Sequence, residues 1–314
     1  MSPLPEPLPV ELEVLRDELE AVDVEPEPSG WSGLTLPLGR RVDLPGRGRT
    51  FVREAGSPES PTTVLLVHGW LASGGLNWGP AFEPLGEHFR VVAPDLRGHG
   101  RGLRTRRRFR LEDCADDLAA LVEELGCGPV IVVGYSMGGL IAQLLWRRRP
   151  DLVKGMVLCS TTLNFVPGKR ERYVFGTAMN YGAGTIRVSR LATKLYLPFG
   201  LPTRRLRRRR PGSMRVWAAG ELRRHDLRQV LEAGHASTQF NSQGWVGEID
   251  VPAAVVVTTK DRAVAPDEQR RLASAISDAT VFELDEDHTA CANAKFPPVL
   301  LEACLDVAGR SEPS

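Results

Sequence analysis

The sequence predicts an α/β fold, a mostly parallel central sheet flanked by helices, and three observations carry that expectation. Six short apolar runs, Thr63–Val67, Phe89–Ala93, Val130–Val133, Gly155–Cys159, Ala254–Val257 and Thr280–Leu284, recur along the chain with helical stretches between them. Continuous apolar runs of this length suit strands buried on both faces, the condition of a parallel sheet covered by its crossover helices. In Leu111 to Leu125, residues Leu118, Leu121, Val122 and Leu125 recur at helical spacing and mark one covering helix. The chain has 314 residues, 42% of them hydrophobic and 25% charged, which is long enough and apolar enough to bury a sizeable core.

Residues 1–39 form an acidic, proline-rich N-terminal extension: Glu11 to Ala21 suits a short helix, whereas Glu25-Pro26-Glu27-Pro28-Ser29-Gly30 resists both helix and strand. From about Arg40 the pattern turns strand-like. Arg41–Leu44 and Arg49–Arg53 flank Pro45-Gly46-Arg47-Gly48 and predict a hairpin. The six-run rhythm follows and then breaks between about Thr161 and Gly247, a stretch too long for a plain loop. It reads as a helical cap inserted after the sixth strand, residues 161–247, containing Tyr173, Phe175, Met179, Tyr181, Leu195, Tyr196, Phe199, Met214 and Trp217. Residues 40–160 and 248–308 then form the core.

Forty Lys and Arg balance 39 Asp and Glu, for a net charge of +1. That balance hides two arginine-rich runs, Arg104 to Arg110 and Arg204 to Arg210. Neither is interleaved with aromatics for base stacking, so they read as solvated faces and nucleic acid is not an expected partner. The five cysteines, Cys114, Cys127, Cys159, Cys291 and Cys304, are odd in number and never spaced C-x-x-C, which suits buried reduced thiols rather than a disulfide framework or a zinc site. No apolar run approaches the roughly 20 residues that span a bilayer, and the N-terminus lacks a basic region followed by an apolar one. The expectation is a cytoplasmic protein with no membrane insertion; nothing in the sequence specifies its oligomeric state.

The most informative stretch is Gly134-Tyr135-Ser136-Met137-Gly138, placed directly after the run Pro129 to Val133 and opening the segment Leu140 to Trp146. A serine on a tight strand-to-helix turn has its hydroxyl lifted above the sheet edge, with glycines keeping side chains out of the crowded backbone. Ser136 is therefore the candidate nucleophile. A serine hydroxyl attacks only when a base takes its proton, and the base works best when a carboxylate orients it. In this setting the chain order is Ser, acid, His. The position after Cys159, Ser160-Thr161-Thr162-Leu163-Asn164, holds no carboxylate, whereas Asp261 follows Val255-Val256-Val257. Among the six histidines only His288 lies beyond Asp261, with Asp285, Glu286 and Asp287 beside it to favour the imidazolium. His225 and His235 fall in the cap and suit structural or substrate-facing roles. Charge developing on a tetrahedral intermediate needs fixed backbone donors. Met137, at the start of the helix, supplies one and Trp70, in the turn His68-Gly69-Trp70-Leu71, the other, with His68 bracing that turn.

With these residues in place the chain resembles the α/β-hydrolase superfamily from about Arg40 to about Ala308. The resemblance rests on His68-Gly69-Trp70, Asp95-Leu96-Arg97-Gly98-His99-Gly100, Gly134 to Gly139, Asp261 and Asp287-His288, in the family's order. It implies that Asp95 to Gly100 is a structural turn after the fourth strand, and that the serine elbow sets the chain apart from the dehalogenase and epoxide hydrolase branches, which carry aspartate there. Asp287 stands where a glycine often precedes the histidine in relatives. The expected activity is a serine hydrolase, a carboxylesterase acting through an acyl-enzyme on a small-molecule ester or acyl substrate, with no metal or organic cofactor. The same triad also serves thioesterases, C–C bond hydrolases, cofactor-free haloperoxidase-like enzymes and acyltransferases. A ligand-binding hydrolase fold without catalysis is the alternative from a different class.

Overall fold

The computed structural model describes residues 36–164, 176–187 and 214–311. Strands β1 (Gly39–Leu44), β2 (Gly48–Ala55), β3 (Thr63–Val67), β4 (Arg90–Pro94), β5 (Val130–Tyr135), β6 (Val153–Cys159), β7 (Ala253–Thr258) and β8 (Ala279–Leu284) form one sheet in the order β1-β2-β4-β3-β5-β6-β7-β8. The expected hairpin is β1 and β2, paired antiparallel with Leu44 opposite Gly48, and β2 also runs antiparallel to β4. From β4 to β8 every pairing is parallel.

Alternate residues of the central strands divide between two apolar layers. Leu65, Val67, Val130 and Val132 point to one face and Val64, Leu66, Ile131 and Val133 to the other, each 0% exposed. Helices α3 (Leu111–Glu124) and α4 (Met137–Arg148) cover the first face. On the second, Trp78, at the end of α1 (Gly74–Trp78), Phe82 and Leu85 of α2 (Phe82–Gly86), and Phe296, Leu300 and Cys304 of the C-terminal helix (Phe296–Ser311) are all at most 1% exposed. Both faces must be covered because a parallel sheet has none to leave in water. The run Thr280–Leu284 departs from the doubly buried expectation: β8 is the last strand of the sheet, and Val281 is 45% exposed on it. An edge strand lacks a neighbour on one side, so its side chains are covered less completely.

Between β6 and β7 the described elements are helical. They are α5 (residues 176–187), α6 (Met214–Arg223) and α7 (Leu227–Gln239), the last capped by the Asp226 carboxylate accepting from the amides of Arg228 and Gln229. Both ends of this segment pack back on the sheet layer: Thr161, Thr162 and Leu163 are buried, and Trp245 stacks on Trp146 of α4. Tyr173, Phe175, Leu195, Tyr196, Phe199, the run Arg204 to Arg210 and the Glu11 to Ala21 segment lie outside the described residues. Arg106, Arg107, Arg108 and Arg110 of the other basic run are solvent-exposed. Helix α8 (Pro266–Ala275) follows β7, and the C-terminal helix, α9, follows β8.

Leu300→Ala should test how far the second layer depends on α9. Truncating a fully buried leucine removes about 2–5 kcal/mol, read as a lower urea midpoint with an unchanged denaturant slope.

Candidate active site

A single residue, Ser136, separates the end of β5 from the start of α4. Its φ of 52° and ψ of −118° put a non-glycine residue in a sparsely populated conformation, which persists because the surroundings over-determine it. The Ser136 amide donates to Cys159 O at 2.9 Å, and its carbonyl accepts from Gly139 N at 2.9 Å and from the Thr161 hydroxyl at 2.8 Å. Turn and helix pack so tightly that a Cβ on Gly134 would lie 2.5 Å from Gly138 O, and one on Gly138 would lie 2.0 Å from Val67 O. The glycines are thus a steric requirement of bringing α4 onto β3 and β5.

The structure brings the three widely separated sequence candidates together. His288 Nε2 is 3.0 Å from Ser136 Oγ, and His288 Nδ1 is 2.7 Å from Asp261 Oδ2. A carboxylate only accepts, so Nδ1 carries the ring proton and Nε2 is left to accept from the serine hydroxyl. The Asp261 side chain is buried and His288 partly so.

Asp261 is held by five donors. Oδ1 accepts from the amides of Ala263 and Val264 at 2.8 and 2.9 Å; Oδ2 accepts from His288, from the Thr258 hydroxyl at 2.8 Å and from Gln269 Nε2 at 3.2 Å. Burial alone would raise the carboxyl, but the hydrogen bonds from His288, Val264 and Thr258 outweigh it and hold the group below the usual aspartate range. Gln269, fully buried in α8, also donates to Val264 O and accepts from the Thr258 amide, tying strand end, loop and helix into one polar cluster. Tyr135 adds a brace on the histidine side, its hydroxyl donating to the His288 carbonyl at 2.9 Å. The supporting roles of Gln269, Thr258 and Tyr135 are not visible in the sequence: Gln269 and Thr258 lie outside the motifs, Tyr135 fills a variable position of the elbow motif, and their contacts join segments far apart in the chain.

The carboxylates beside His288 are engaged elsewhere. Asp285 pairs with Lys260 at 2.8 Å, Glu286 with Lys295 at 2.7 Å, and Asp287 accepts from the amide and hydroxyl of Thr289. Their expected pull on the imidazole is therefore shared with these partners, while Asp261 makes the direct contact.

The His68–Leu71 turn lies against the serine: a Cβ on Gly69 would be 3.4 Å from Ser136 Cβ. His68 is fully buried. Its Nε2 accepts from the Leu96 amide at 2.9 Å, so its Nδ1 carries the proton and donates to Gly69 O at 2.8 Å, while Asn77 Oδ1 accepts from the Gly69 amide at 2.9 Å. Burial drives the His68 pKa down to about 3, so this ring is a neutral brace. The Trp70 indole donates to Val230 O at 2.8 Å, and its ring lies, with Met179 of α5, against Gly234 of α7. Met137 is the first residue of α4, where helical geometry offers its amide no acceptor four residues back. The Asp95 carboxylate accepts from the amides of Gly74 and Arg101, a structural turn. His225 accepts from the Gly100 amide and His235 contacts Gly176 O. Among the described residues no group of three or more His, Cys, Asp or Glu is arranged to hold a metal ion.

Sheet order, elbow and the Ser136–His288–Asp261 alignment define a hydrolase of the α/β class. The family model described as alpha/beta hydrolase fold matches residues 62–294, and the chain belongs to that family. A pimeloyl-[acyl-carrier protein] methyl ester esterase from Chromobacterium violaceum is 30% identical over 229 residues, 71% of this chain and 85% of that protein. The protein of the same name from Nitrosospira multiformis is 36% identical over 133 residues, 42% of this chain and 48% of its own length. The chain thus spans about half the length, or less, of several curated relatives it matches. Among solved structures, the enol-lactonase from Burkholderia xenovorans superposes with a TM-score of 0.66 at 25% identity, covering 86% of this chain and 99% of that one.

The buried neutral histidines predict an acid-sensitive fold. Burial lowers the pKa of His68, His99 and His225, so below about pH 6.5 the unfolded chain takes up protons that the folded one refuses. Stability is full above pH 6.5 and falls as pH drops toward the folded values, by at most about 1.4 kcal/mol per pH unit for His68. Urea unfolding at pH 7, 6 and 5 should show a decreasing midpoint, and the decrease should be shallower in His225→Gln, which keeps an acceptor for Gly100 but does not titrate.

Proposed function

We propose that the protein is a serine hydrolase of carboxylic esters that works through an acyl-enzyme, with Ser136 as nucleophile, His288 as general base and acid, and Asp261 as the orienting carboxylate. The carrying observation is the continuous hydrogen-bonded line from Ser136 Oγ through the His288 ring to Asp261. As Ser136 Oγ attacks the ester carbonyl carbon, its proton passes to His288 Nε2, and the Asp261 charge stabilises the imidazolium that forms. The carbonyl π electrons move to oxygen, where the backbone amides of Trp70 and Met137 receive the negative charge. Collapse breaks the bond to the alcohol, which leaves with the proton from His288. Water, deprotonated by the same nitrogen, then attacks the acyl-enzyme and releases the acid and Ser136.

Ester chemistry is favoured over the other reactions of this triad by the relatives, two named as methyl ester esterases and one as an enol-lactonase. A lactone is an internal ester and needs the same steps. The cap expected for residues 161–247 covers this centre in this reading: the Trp70 indole donates to Val230 O and its ring lies beside Gly234, which ties the His68–Leu71 turn to α7, and Met179 of α5 lies against the same glycine. The free thiols fit a reducing, cytoplasmic setting.

Ser136→Ala should abolish labelling by a fluorophosphonate probe and reduce ester turnover by several orders of magnitude while the protein stays folded. Asp261→Asn should keep the fold and lower kcat by up to about 10⁴-fold. Undiminished hydrolysis by purified Ser136→Ala would reject the assignment. Across esters of graded acyl length, kcat/KM should rise by up to about 0.8 kcal/mol of transition-state binding per buried methylene, then fall once the pocket is full. A flat profile that ignores substitution of Met179 would remove the cap from substrate selection.

A further inference from the structure

The turn that carries the Trp70 amide is fastened from two sides. On the core side Asn77 Oδ1 accepts from the Gly69 amide at 2.9 Å, and Gly69 O accepts from His68 Nδ1 at 2.8 Å and from the Ala72 amide at 3.3 Å. On the other side the Trp70 indole Nε1 donates to Val230 O of α7 at 2.8 Å. Leu71, the next residue, has a φ of 60°, a left-handed conformation that a branched side chain rarely adopts. Its side chain is half exposed and gives the turn little support. A strained backbone persists only where its surroundings hold it, so the contacts of its neighbours fix this turn.

Gly234 is what lets the indole reach that carbonyl. In α-helical geometry the Val230 carbonyl faces the amide four residues on, which is that of Gly234. A Cβ built on Gly234 would lie 3.0 Å from Trp70 Cζ2 and 3.3 Å from Cε2, the ring carbon bonded to Nε1. Any side chain at 234 therefore displaces the ring at the point where it donates. A glycine inside a helix is unfavourable relative to alanine, because it gives up more backbone freedom on folding, and here the seat of the indole accounts for it. The seat itself is firm. Ala233 is buried in the first apolar layer, Glu232 accepts from the Phe109 amide at 2.8 Å, and Arg228 and Gln229 donate to Thr105 O at 2.6 and 3.1 Å. With α7 fixed and the ring pinned by its N–H, a displaced ring moves the Trp70 main chain.

We propose that the Trp70 side chain and Gly234 are positioning residues for the ester hydrolysis, setting from α7 where the Trp70 amide stands relative to the oxyanion; the inference rests on the assignment of Ser136 and of that amide made above. An oxyanion donor acts through its aim, because the charge it meets exists only once the serine has attacked. A misaimed donor leaves the neutral ester bound as before and loses stabilisation only as the charge forms. The signature is a fall in kcat at constant KM. It runs against the effect of the same substitution on the helix, since alanine in place of glycine favours helical folding.

The test combines steady-state kinetics on a short-chain ester with inhibition by a trifluoromethyl ketone of the same acyl chain, whose adduct with Ser136 Oγ carries its oxygen where the oxyanion forms. Removing an oxyanion donor outright lowers kcat by about 10²–10³-fold, and a misaimed one should lose part of that. Trp70→Phe, which lacks the indole N–H, and Gly234→Val should lower kcat by about tenfold or more, and Gly234→Ala by less. KM should stay within about twofold of the wild type, and the inhibition constant should rise by the factor by which kcat/KM falls. Gly220→Ala, on α6 with nothing within 4 Å of the added Cβ, should leave kcat, KM and the inhibition constant unchanged. In a Trp70→Leu background, with no indole to displace, Gly234→Val should change kcat by less than about twofold. Should Gly234→Val unfold, Gly234→Ala completes the same cycle. Wild-type kcat in Trp70→Phe and the Gly234 variants, a fall in kcat without a rise in the inhibition constant, or an equal loss with and without Trp70 overturns this inference alone while Ser136→Ala stays inactive. Full turnover by Ser136→Ala would instead overturn the Ser136 assignment and this inference with it.

Discussion

The turn at Ser136 is the constraint around which this molecule is arranged. One residue reverses the chain from the buried strand β5 into α4, and the helix settles so close to β3 that Gly138 has no room for a Cβ beside Val67 O. That close approach aims the start of α4, with its unpaired amides and positive dipole end, at the serine oxygen. The strain of the left-handed Ser136 backbone is offset by the hydrogen bonds from Thr161 and Gly139 to its carbonyl and from its own amide to Cys159. Neighbouring strand ends thus hold the turn from both sides, and the flat apolar layers beneath it keep those ends in register.

The same logic governs the partners of the serine. Asp261 and His288 come from loops beyond β7 and β8, and each loop is anchored by groups with no chemistry of their own. Gln269 and Thr258 hold the carboxylate, and Tyr135 holds the histidine main chain. Because Tyr135 immediately precedes Ser136, the strand that presents the serine also positions the loop that carries the histidine. A buried carboxylate with five donors stays charged where an isolated one would not, and that retained charge keeps the imidazole in one tautomer.

A second polar system links the α5–α7 segment to the sheet through the loop after β4. Glu221 of α6 accepts from Ser73 and pairs with Arg101, His225 accepts from the Gly100 amide, and His99 lies between His68 and His225 at ring separations of 5.5 and 5.4 Å. Displacing α6 would therefore disturb the loop that braces the His68–Leu71 turn.

Much of this was legible in the residues themselves. Apolar runs located the strands to within a residue or two, because burial on both faces leaves few polar substitutions open. The Gly-x-Ser-x-Gly spacing placed the elbow, because no other residue type fits its crowded backbone. Chain order picked out Asp261 and His288 from many carboxylates and six histidines. Edge exposure of β8 was not legible, since a strand's apolar content does not say whether it has one neighbour or two. Nor were the supports of the site, Gln269 and Thr258 on the Asp261 carboxylate and Tyr135 on the His288 main chain, which come to bear only when three strand ends converge. Local pattern determines which segments become strand, helix and turn; which side chains then face one another is decided by sheet order and helix placement, which are properties of the whole packed chain.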